Sequence, residues 1–198
     1  MTKPAFPELT AAIDHLRASL GTPVAVWHYT PSFSVVRFEN PDGGKTYRPF
    51  WRDADGWRPG VPPKPWPLFT RPNPLPPNAD PIVVVEGEKC ANLAHSIGLC
   101  AVTSAGGAGG AANSDWAPLR GKRVIIFPDN DEPGRKYGRE VASILAGINA
   151  HVRLFAPKAL PEGGDIEEWI AMQRRAGRNN GQLRCMIITG SVEWETQK

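Results

Sequence analysis

The sequence "PIVVVEGEKC", residues 81–90, decides the fold class because its character changes abruptly at Glu86. Four consecutive apolar residues, 82–85, are typical of a parallel strand that is buried on both faces. After Glu86 and a glycine, residues 89–98 have the pattern of a short helix that ends at Gly98. A buried strand that ends in a carboxylate allows two interpretations: a surface turn, or a functional group at the end of a sheet strand.

The same alternation continues towards the C-terminus. Apolar strand patterns occur in "LCAVTS" (99–104), "GKRVIIFPD" (121–129) and "HVRLFAP" (151–157). Helical periodicity occurs in "GRKYGREVASILAGI" (134–148) and "DIEEWIAMQRR" (165–175). Strands that alternate with helices predict an α/β fold with a Rossmann-like, mainly parallel sheet flanked by helices.

The N-terminal part has a different pattern. Residues 8–20 have the apolar spacing of a helix, and the following segment is rich in β-branched and aromatic residues with a turn at "NPDGG". The segment 59–77 contains nine prolines and is interpreted as a stiff, extended connector without regular structure. The predicted organisation is an N-terminal helix (1–22), a small antiparallel β unit (23–58), a proline-rich connector (59–79), an α/β domain (80–172) and a C-terminal tail (173–198) with a last strand at "CMIITG".

Composition excludes several classes of protein. The chain has 198 residues, 41% hydrophobic and 22% charged, and a net charge of +3, which is too small to indicate nucleic-acid binding by itself. It contains no apolar run of the length of a membrane span and no signal-peptide core. Its three cysteines have no zinc-ribbon spacing. We therefore expect a cytoplasmic protein with reduced thiols.

Acidic residues follow three of the predicted strands. Glu86 follows the first, Asp129 and Asp131 follow the third, and Asp165 follows the fourth. Ligands of parallel α/β sheets bind at the carboxyl ends of the strands, so these acids are expected at one edge. Carboxylates are ligands of magnesium, which also retains waters and binds substrate phosphates.

Each acid also has a structural interpretation. The sequence "DNDEPG" (129–134) is a good turn, and Asp165 with Glu168 has the spacing of a capping box at a helix start. Glu86 taken alone is more often a surface residue. The glycine-rich segment "GGAGGAANS" (106–114) is either a phosphate-binding backbone loop or a flexible crossover.

The order "VVVEGEK", "VIIFPDNDEPG", "GGDIEEWI" resembles a Toprim domain, the fold shared by bacterial-type primases, type IA and II topoisomerases and certain nucleases. The resemblance covers roughly residues 80–172. The preceding "VVRFENPDGGKTYRPFW" is similar, more loosely, to the region before Toprim in phage- and plasmid-type primases and primase-helicases. Two departures stand out: no zinc ribbon is present, and Cys90 stands where many relatives carry an acid.

The resemblance implies a role for each acid. Glu86 becomes the general acid/base, Asp129 and Asp131 become ligands of Mg²⁺ or Mn²⁺, and Asp165 becomes an auxiliary acid near a second ion. Residues expected to contact nucleotide or nucleic acid are Gly87, Lys89, Arg135, Lys136, Arg139, Arg48 and Arg52. The two last arginines, beside Tyr47, Phe50 and Trp51, would form a single-strand groove, although these aromatic residues also suit a small core.

The leading hypothesis is a primase-type nucleotidyltransferase of a phage, plasmid or mobile element that makes short RNA primers on single-stranded DNA. Its substrates would be ribonucleoside triphosphates. Its partners would be a replicative helicase or a separate zinc-ribbon or helicase portion. The alternatives are a Toprim nuclease, which would use the same acids for hydrolysis, and a non-catalytic nucleic-acid-binding module of a replication complex.

Overall fold

A computed structural model describes residues 4–195, apart from the side chain of Ala108. The outermost positions of the predicted N-terminal segment and tail, 1–3 and 196–198, therefore lie outside the described residues. The chain divides into two compact units, Met1–Pro67 and Leu68–Lys198.

The first unit is one helix on a four-stranded antiparallel sheet of order β1-β2-β3-β4. The helix α1 ends at Gly21, whose φ of +91° is accessible chiefly to glycine. A core of Ile13, Val36, Phe38, Phe50 and Trp57 lies between helix and sheet. Its elements are α1 (Leu9–Leu20), β1 (Thr22–Thr30), β2 (Phe33–Glu39), β3 (Lys45–Asp53) and β4 (Gly56–Pro59). The predicted helix and antiparallel strands are present.

The second unit is a six-stranded sheet of order β10-β9-β8-β6-β7-β5. The four inner strands are parallel, and the two edge strands are antiparallel to their neighbours. All four residues of β6 are buried, as expected for a strand covered on both faces. The strands are β5 (Phe69–Arg71), β6 (Ile82–Val85), β7 (Cys100–Thr103), β8 (Arg123–Phe127), β9 (His151–Leu154) and β10 (Val192–Glu193).

Four helices flank this sheet, so the prediction of a mainly parallel α/β sheet is confirmed. They are α2 (Glu88–Ser96), α3 (Glu132–Gly147), α4 (Ile166–Arg175) and α5 (Asn180–Gly190). The longest, α3, buries Tyr137, Val141 and Leu145 at helical spacing against the sheet. Short 3₁₀ turns lie between β7 and β8.

The prediction that the proline-rich segment 59–77 has no regular structure is wrong for residues 69–71. Residues Phe69–Arg71 form β5 and pair antiparallel with β7. The sequence from Leu68 to Arg71 contains no proline, so its amides remain able to donate to a neighbouring strand. Phe69 is fully buried, which adds apolar burial to this pairing.

The predicted last strand at "CMIITG" is also wrong, because these residues belong to helix α5. A capping box starts the helix: the Asn179 side chain accepts from the Gln182 amide, and the Gln182 side chain accepts from the Asn179 amide. Leu183 and Ile187, four residues apart, then supply a narrow buried stripe. The pattern of β-favouring residues at 186–189 is overridden by this cap and this packing.

No helix within residues 4–195 is long and apolar enough to cross a membrane. The three cysteines are free thiols, with Cys90 buried and Cys185 exposed.

Candidate active site at the carboxyl edge of the parallel sheet

The four predicted acids lie at the carboxyl edge of the parallel sheet. Glu86 directly follows β6, and Asp129 follows the adjacent parallel strand β8. Asp131 and Asp165 are the residues that precede α3 and α4. Because β6 and β8 run in the same direction, their carboxyl ends place these acids at one edge.

Glu86 is half-buried, and its Oε2 atom is shielded from solvent and has no hydrogen-bond partner among residues 4–195. Burial, followed by the negative charge of Asp131, raises the pKa of this carboxyl. An enclosed acceptor without a donor is uncommon, because burying an unsatisfied polar atom costs about 1–3 kcal/mol. The interpretation of Glu86 as an ordinary surface residue does not fit this position.

Asp129 is the most perturbed acid of the group. Burial, followed by the charges of Glu86, Asp165 and Asp131, raises its pKa from the ordinary 3.8 to about 7. All four acids therefore share one electrostatic environment. Within residues 4–195, however, no three His, Cys, Asp or Glu side chains are close enough to form a ready-made metal-binding group.

Two of the acids have the structural role that their sequence context allowed. Asp131 caps α3 by accepting from the Gly134 amide at 2.7 Å. Asp165 caps α4 by accepting from the amides of Glu167 at 2.6 Å and Glu168 at 3.2 Å. Each cap orients one carboxylate against a helix start, where the helix dipole favours negative charge.

Cys90 adds a contact that sequence reasoning missed. Its thiol is buried on α2 and donates to Oδ2 of Asp165, with the sulfur 3.5 Å from the oxygen. Burial, followed by the charges of Asp165 and Asp129, raises the pKa of the thiol, so it remains protonated and able to donate. Asp165 thus accepts from two backbone amides and one thiol.

The loop after β6 is fixed from the neighbouring strand. Gly87 has a φ of +84°, and its amide donates to Oγ1 of Thr103 at 3.0 Å. A side chain at Gly87 would meet no described atom within 4 Å beyond its chain neighbours, so this backbone faces open space. Ser104 follows Thr103 and lies 3.0 Å from the hydroxyl of the buried Tyr137, with Oγ and OH as the two atoms.

Most of the cations predicted to contact nucleotide already have acidic partners. Lys89 pairs with Glu167, and Arg135 lies 3.4 Å from Glu162. Arg139 lies 3.1 Å from Glu132, while Lys136 is exposed. These pairs are solvent-exposed and therefore weak, so a polyphosphate would be able to displace them.

The glycine-rich segment follows β7 and so also lies at this edge. A side chain at Gly107 or Gly109 would meet no atom within 4 Å. At Gly110 it would lie 1.7 Å from the carbonyl oxygen of Ala105, so this glycine is required by close backbone packing. The segment is therefore open at its tip and tightly packed at its base.

In the first unit, the structure does not bring the predicted single-strand groove together on one face. Side chains alternate along β3, so Arg48 and Arg52 lie on the face of Phe50, and Tyr47 and Trp51 lie on the other. Phe50 is fully buried in the core under α1. Tyr47 is 49% exposed and stacks on Trp27 with ring centroids 6.1 Å apart.

The donor set suits a hard divalent cation, although the ligands are not arranged as a closed cage. It consists of carboxylate oxygens, including Oε2 of Glu86, which accepts no hydrogen bond from the described residues, and Mg²⁺ and Mn²⁺ prefer such ligands. A positive ion would also offset the neighbouring negative charges that, after burial, raise the pKa of Asp129.

A scan against protein-family models and a search of curated proteins gave no match. Solved structures that are similar in fold include the following two. One is a chain of a bacteriophage T7 complex in which lagging-strand DNA polymerase interacts with primase domains bound to an RNA/DNA hybrid and dTTP. It is 20% identical with a TM-score of 0.49, over 96% of this chain and 93% of that chain. This similarity is too weak to support a conclusion by itself.

The other is the Aquifex aeolicus primase, comprising its zinc-binding and RNA polymerase domains. It is 19% identical with a TM-score of 0.50, and the similarity covers 95% of this chain and 51% of that chain. This chain has a primase-type fold and spans about half the length of the Aquifex chain.

Proposed function

We propose that this protein is a primase-type nucleotidyltransferase that synthesises short RNA primers on single-stranded DNA from ribonucleoside triphosphates. Its second unit would be a Toprim domain, and the protein would act in the cytoplasm in replication of a phage, plasmid or mobile element, with a helicase or zinc-ribbon partner. The observation that supports this most directly is the set of four acids at the carboxyl edge of the sheet, where burial, followed by the charges of Glu86, Asp165 and Asp131, raises the pKa of Asp129 to about 7.

Asp129 and Asp131 would hold Mg²⁺ or Mn²⁺, with Asp165 as an auxiliary ligand near a second ion. When bound, the metal would offset negative charge on the reacting phosphates. Glu86 would accept the proton of the attacking 3′-hydroxyl at Oε2, the oxygen to which no described residue donates a hydrogen bond. Its raised pKa makes it a stronger base than an ordinary glutamate.

The test is incorporation of labelled ribonucleotides on single-stranded DNA with Mg²⁺ or Mn²⁺. We expect Asp129→Asn to reduce synthesis about 100-fold or more, because a metal contact contributes several kcal/mol to the transition state. Asp80→Asn is the matched control, since Asp80 lies just before the opposite end of β6 and should leave synthesis within about twofold.

Three results would contradict the proposal. Synthesis that survives Asp129→Asn would remove the acids from the mechanism. Cleavage of labelled DNA with metal and without nucleotides would instead indicate a nuclease. Binding of single-stranded DNA that weakens with salt, without any extension, would indicate an accessory module.

A further inference from the structure

Asn130 lies between two of the acids and contacts the loop that carries a third. Its backbone amide donates to the Gly164 carbonyl at 2.8 Å, and the Gly163 amide donates to the Asn130 carbonyl at 2.9 Å. Asp165 directly follows Gly164 in the chain. Two reciprocal backbone bonds therefore connect the loop after β8 directly to the start of α4.

Two glycines shape the 160–165 segment where it meets Asn130. Gly163 has a φ of +75°, which is favourable for glycine and strained for other residues. A side chain at Gly164 would lie 2.9 Å from Leu160 and from Oε2 of Glu168. The sequence "GGD" at 163–165 is therefore adapted to a backbone contact immediately before the acid.

The side chain of Asn130 strengthens this contact. Its Nδ2 donates to the carbonyls of Leu160 at 2.8 Å and Pro161 at 3.0 Å. Its Oδ1 accepts from Nη1 of Arg135 at 3.2 Å, and Arg135 in turn reaches Glu162. Both ends of the amide are used, and every contact fastens the loop after β8 to α3 or to residues 160–164.

The loops need such a connection because their acids repel each other. The negative charge of Asp165 is one of the three charges that raise the pKa of Asp129. Like charges favour separation of the two loops when no cation is bound. Four of the five hydrogen bonds of Asn130 join it to residues 160–164 and oppose that separation directly.

We propose that Asn130 is a positioning residue that holds the Asp165 loop against Asp129 and thereby sets the affinity of the acid cluster for a divalent cation. This inference rests on the proposed metal site. It assigns Asn130 no contact with substrate. Groups that orient metal ligands typically change metal affinity about 10–100-fold when they are removed.

The experiment measures the Kd of Mn²⁺ for the full chain by electron paramagnetic resonance of the free ion. We expect Asn130→Ala to raise the Kd about 10-fold, because it removes three of the five bonds and leaves the backbone pair. Asn130→Gln retains the amide on a longer side chain and should restore part of the affinity.

Asn179→Ala is the matched control. It also removes an asparagine side chain that bonds to backbone, at the start of α5, in the same unit. We expect its Kd to stay within about twofold of the wild-type value. Circular dichroism and thermal melts are to be used to check that each variant is folded.

Two results would overturn the role of Asn130 alone and leave the proposed function standing. One is a wild-type Kd in folded Asn130→Ala, or in Asn130→Gln if the alanine variant fails to fold. The other is an equal loss of affinity in Asn179→Ala, which would show a general effect of lost stability. Absence of Mn²⁺ binding by the wild-type protein would overturn both this inference and the proposed metal site.

Discussion

The amino and carboxyl edges of the parallel sheet differ in how their acidic side chains are paired. At the amino edge, Asp80 forms two hydrogen bonds of 2.8 Å with Arg123, and Arg153 pairs with Glu193. At the carboxyl edge, four acids lie together, and Oε2 of Glu86 has no hydrogen-bond partner in the described part of the chain. The pKa of Asp80 is lowered by its bond to Arg123, whereas the pKa of Asp129 is raised to about 7.

Cavity size and charge indicate different edges of the sheet as the site of chemistry. The amino edge has a cavity of about 770 Å³ beside Asp80, Arg123 and His151, whereas the one beside Asp129 and Lys158 has about 140 Å³. Charge is a better guide than cavity volume, because an acid cluster that destabilises the fold needs a functional explanation. The paired charges of the amino edge need no functional explanation.

The largest effect on stability is expected from a substitution at one end of α3. A side chain at Gly134 would lie 2.5 Å from the carbonyl oxygen of Asp129, so Gly134→Ala must displace the acid loop or the helix start. We expect a loss of about 1–3 kcal/mol in the free energy of unfolding, measured by urea denaturation.

Gly147→Ala at the other end of the same helix is the control. A side chain there would meet no atom within 4 Å, and alanine is the better helix former. We expect a change between zero and about 1 kcal/mol of added stability. Equal losses at both ends would mean that the carboxyl edge is no more tightly constrained than the amino edge.

The second prediction concerns pH. The folded protein holds the Asp129 proton more tightly than the unfolded chain, because its pKa is raised from 3.8 to about 7. Between these values the unfolded chain binds fewer protons, so this group reduces stability as pH rises from about 4 to about 7, with no further change above. Metal-free Asp129→Asn should therefore be more stable than wild type at pH 8.

The measurement is the thermal midpoint of both proteins in EDTA from pH 4 to pH 8. The advantage of Asp129→Asn should grow through this window and level off near pH 7. An advantage that does not change with pH would show that burial and the charges of Glu86, Asp165 and Asp131 do not raise the pKa of Asp129.

Much of the second unit could be predicted from sequence because its signals are local. The buried run of β6 and the helical periodicity of α3 are readable within short windows, and the strand-end rule places the four acids at one edge. Strand β5 was missed because its pairing with β7 joins distant segments and prolines surround it. Helix α5 was missed because its cap at Asn179 is followed by only two buried apolar residues.

The helix caps at Asp131 and Asp165 are local, but the other main restraints around the acids could not be predicted, because they join residues far apart in the chain. Cys90 and Asp165 are separated by 75 positions, and Lys89 and Glu167 by 78. Asn130 and Leu160 are separated by 30. Sequence patterns identify which residues carry chemistry, whereas the partners that hold them depend on how the loops meet in the folded chain.

The smallest effect is expected at the amino edge. Asp80 and Arg123 retain 46% and 62% of their side-chain exposure, so their ion pair contributes little and salt screens it. Because the pKa of Asp80 is lowered, its contribution is present above pH 3.8 and is lost as pH falls through the folded value. Asp80→Asn should lower the thermal midpoint slightly at pH 7 in low salt and leave it unchanged in about 1 M salt, where the Debye length is about 3 Å.

The expected change in thermal midpoint for Asp80→Asn is opposite in direction to that for Asp129→Asn. If neutralising Asp80 instead raised the midpoint in metal-free protein, the two edges would share one electrostatic character, and the acids at the carboxyl edge would no longer stand apart as the site of chemistry.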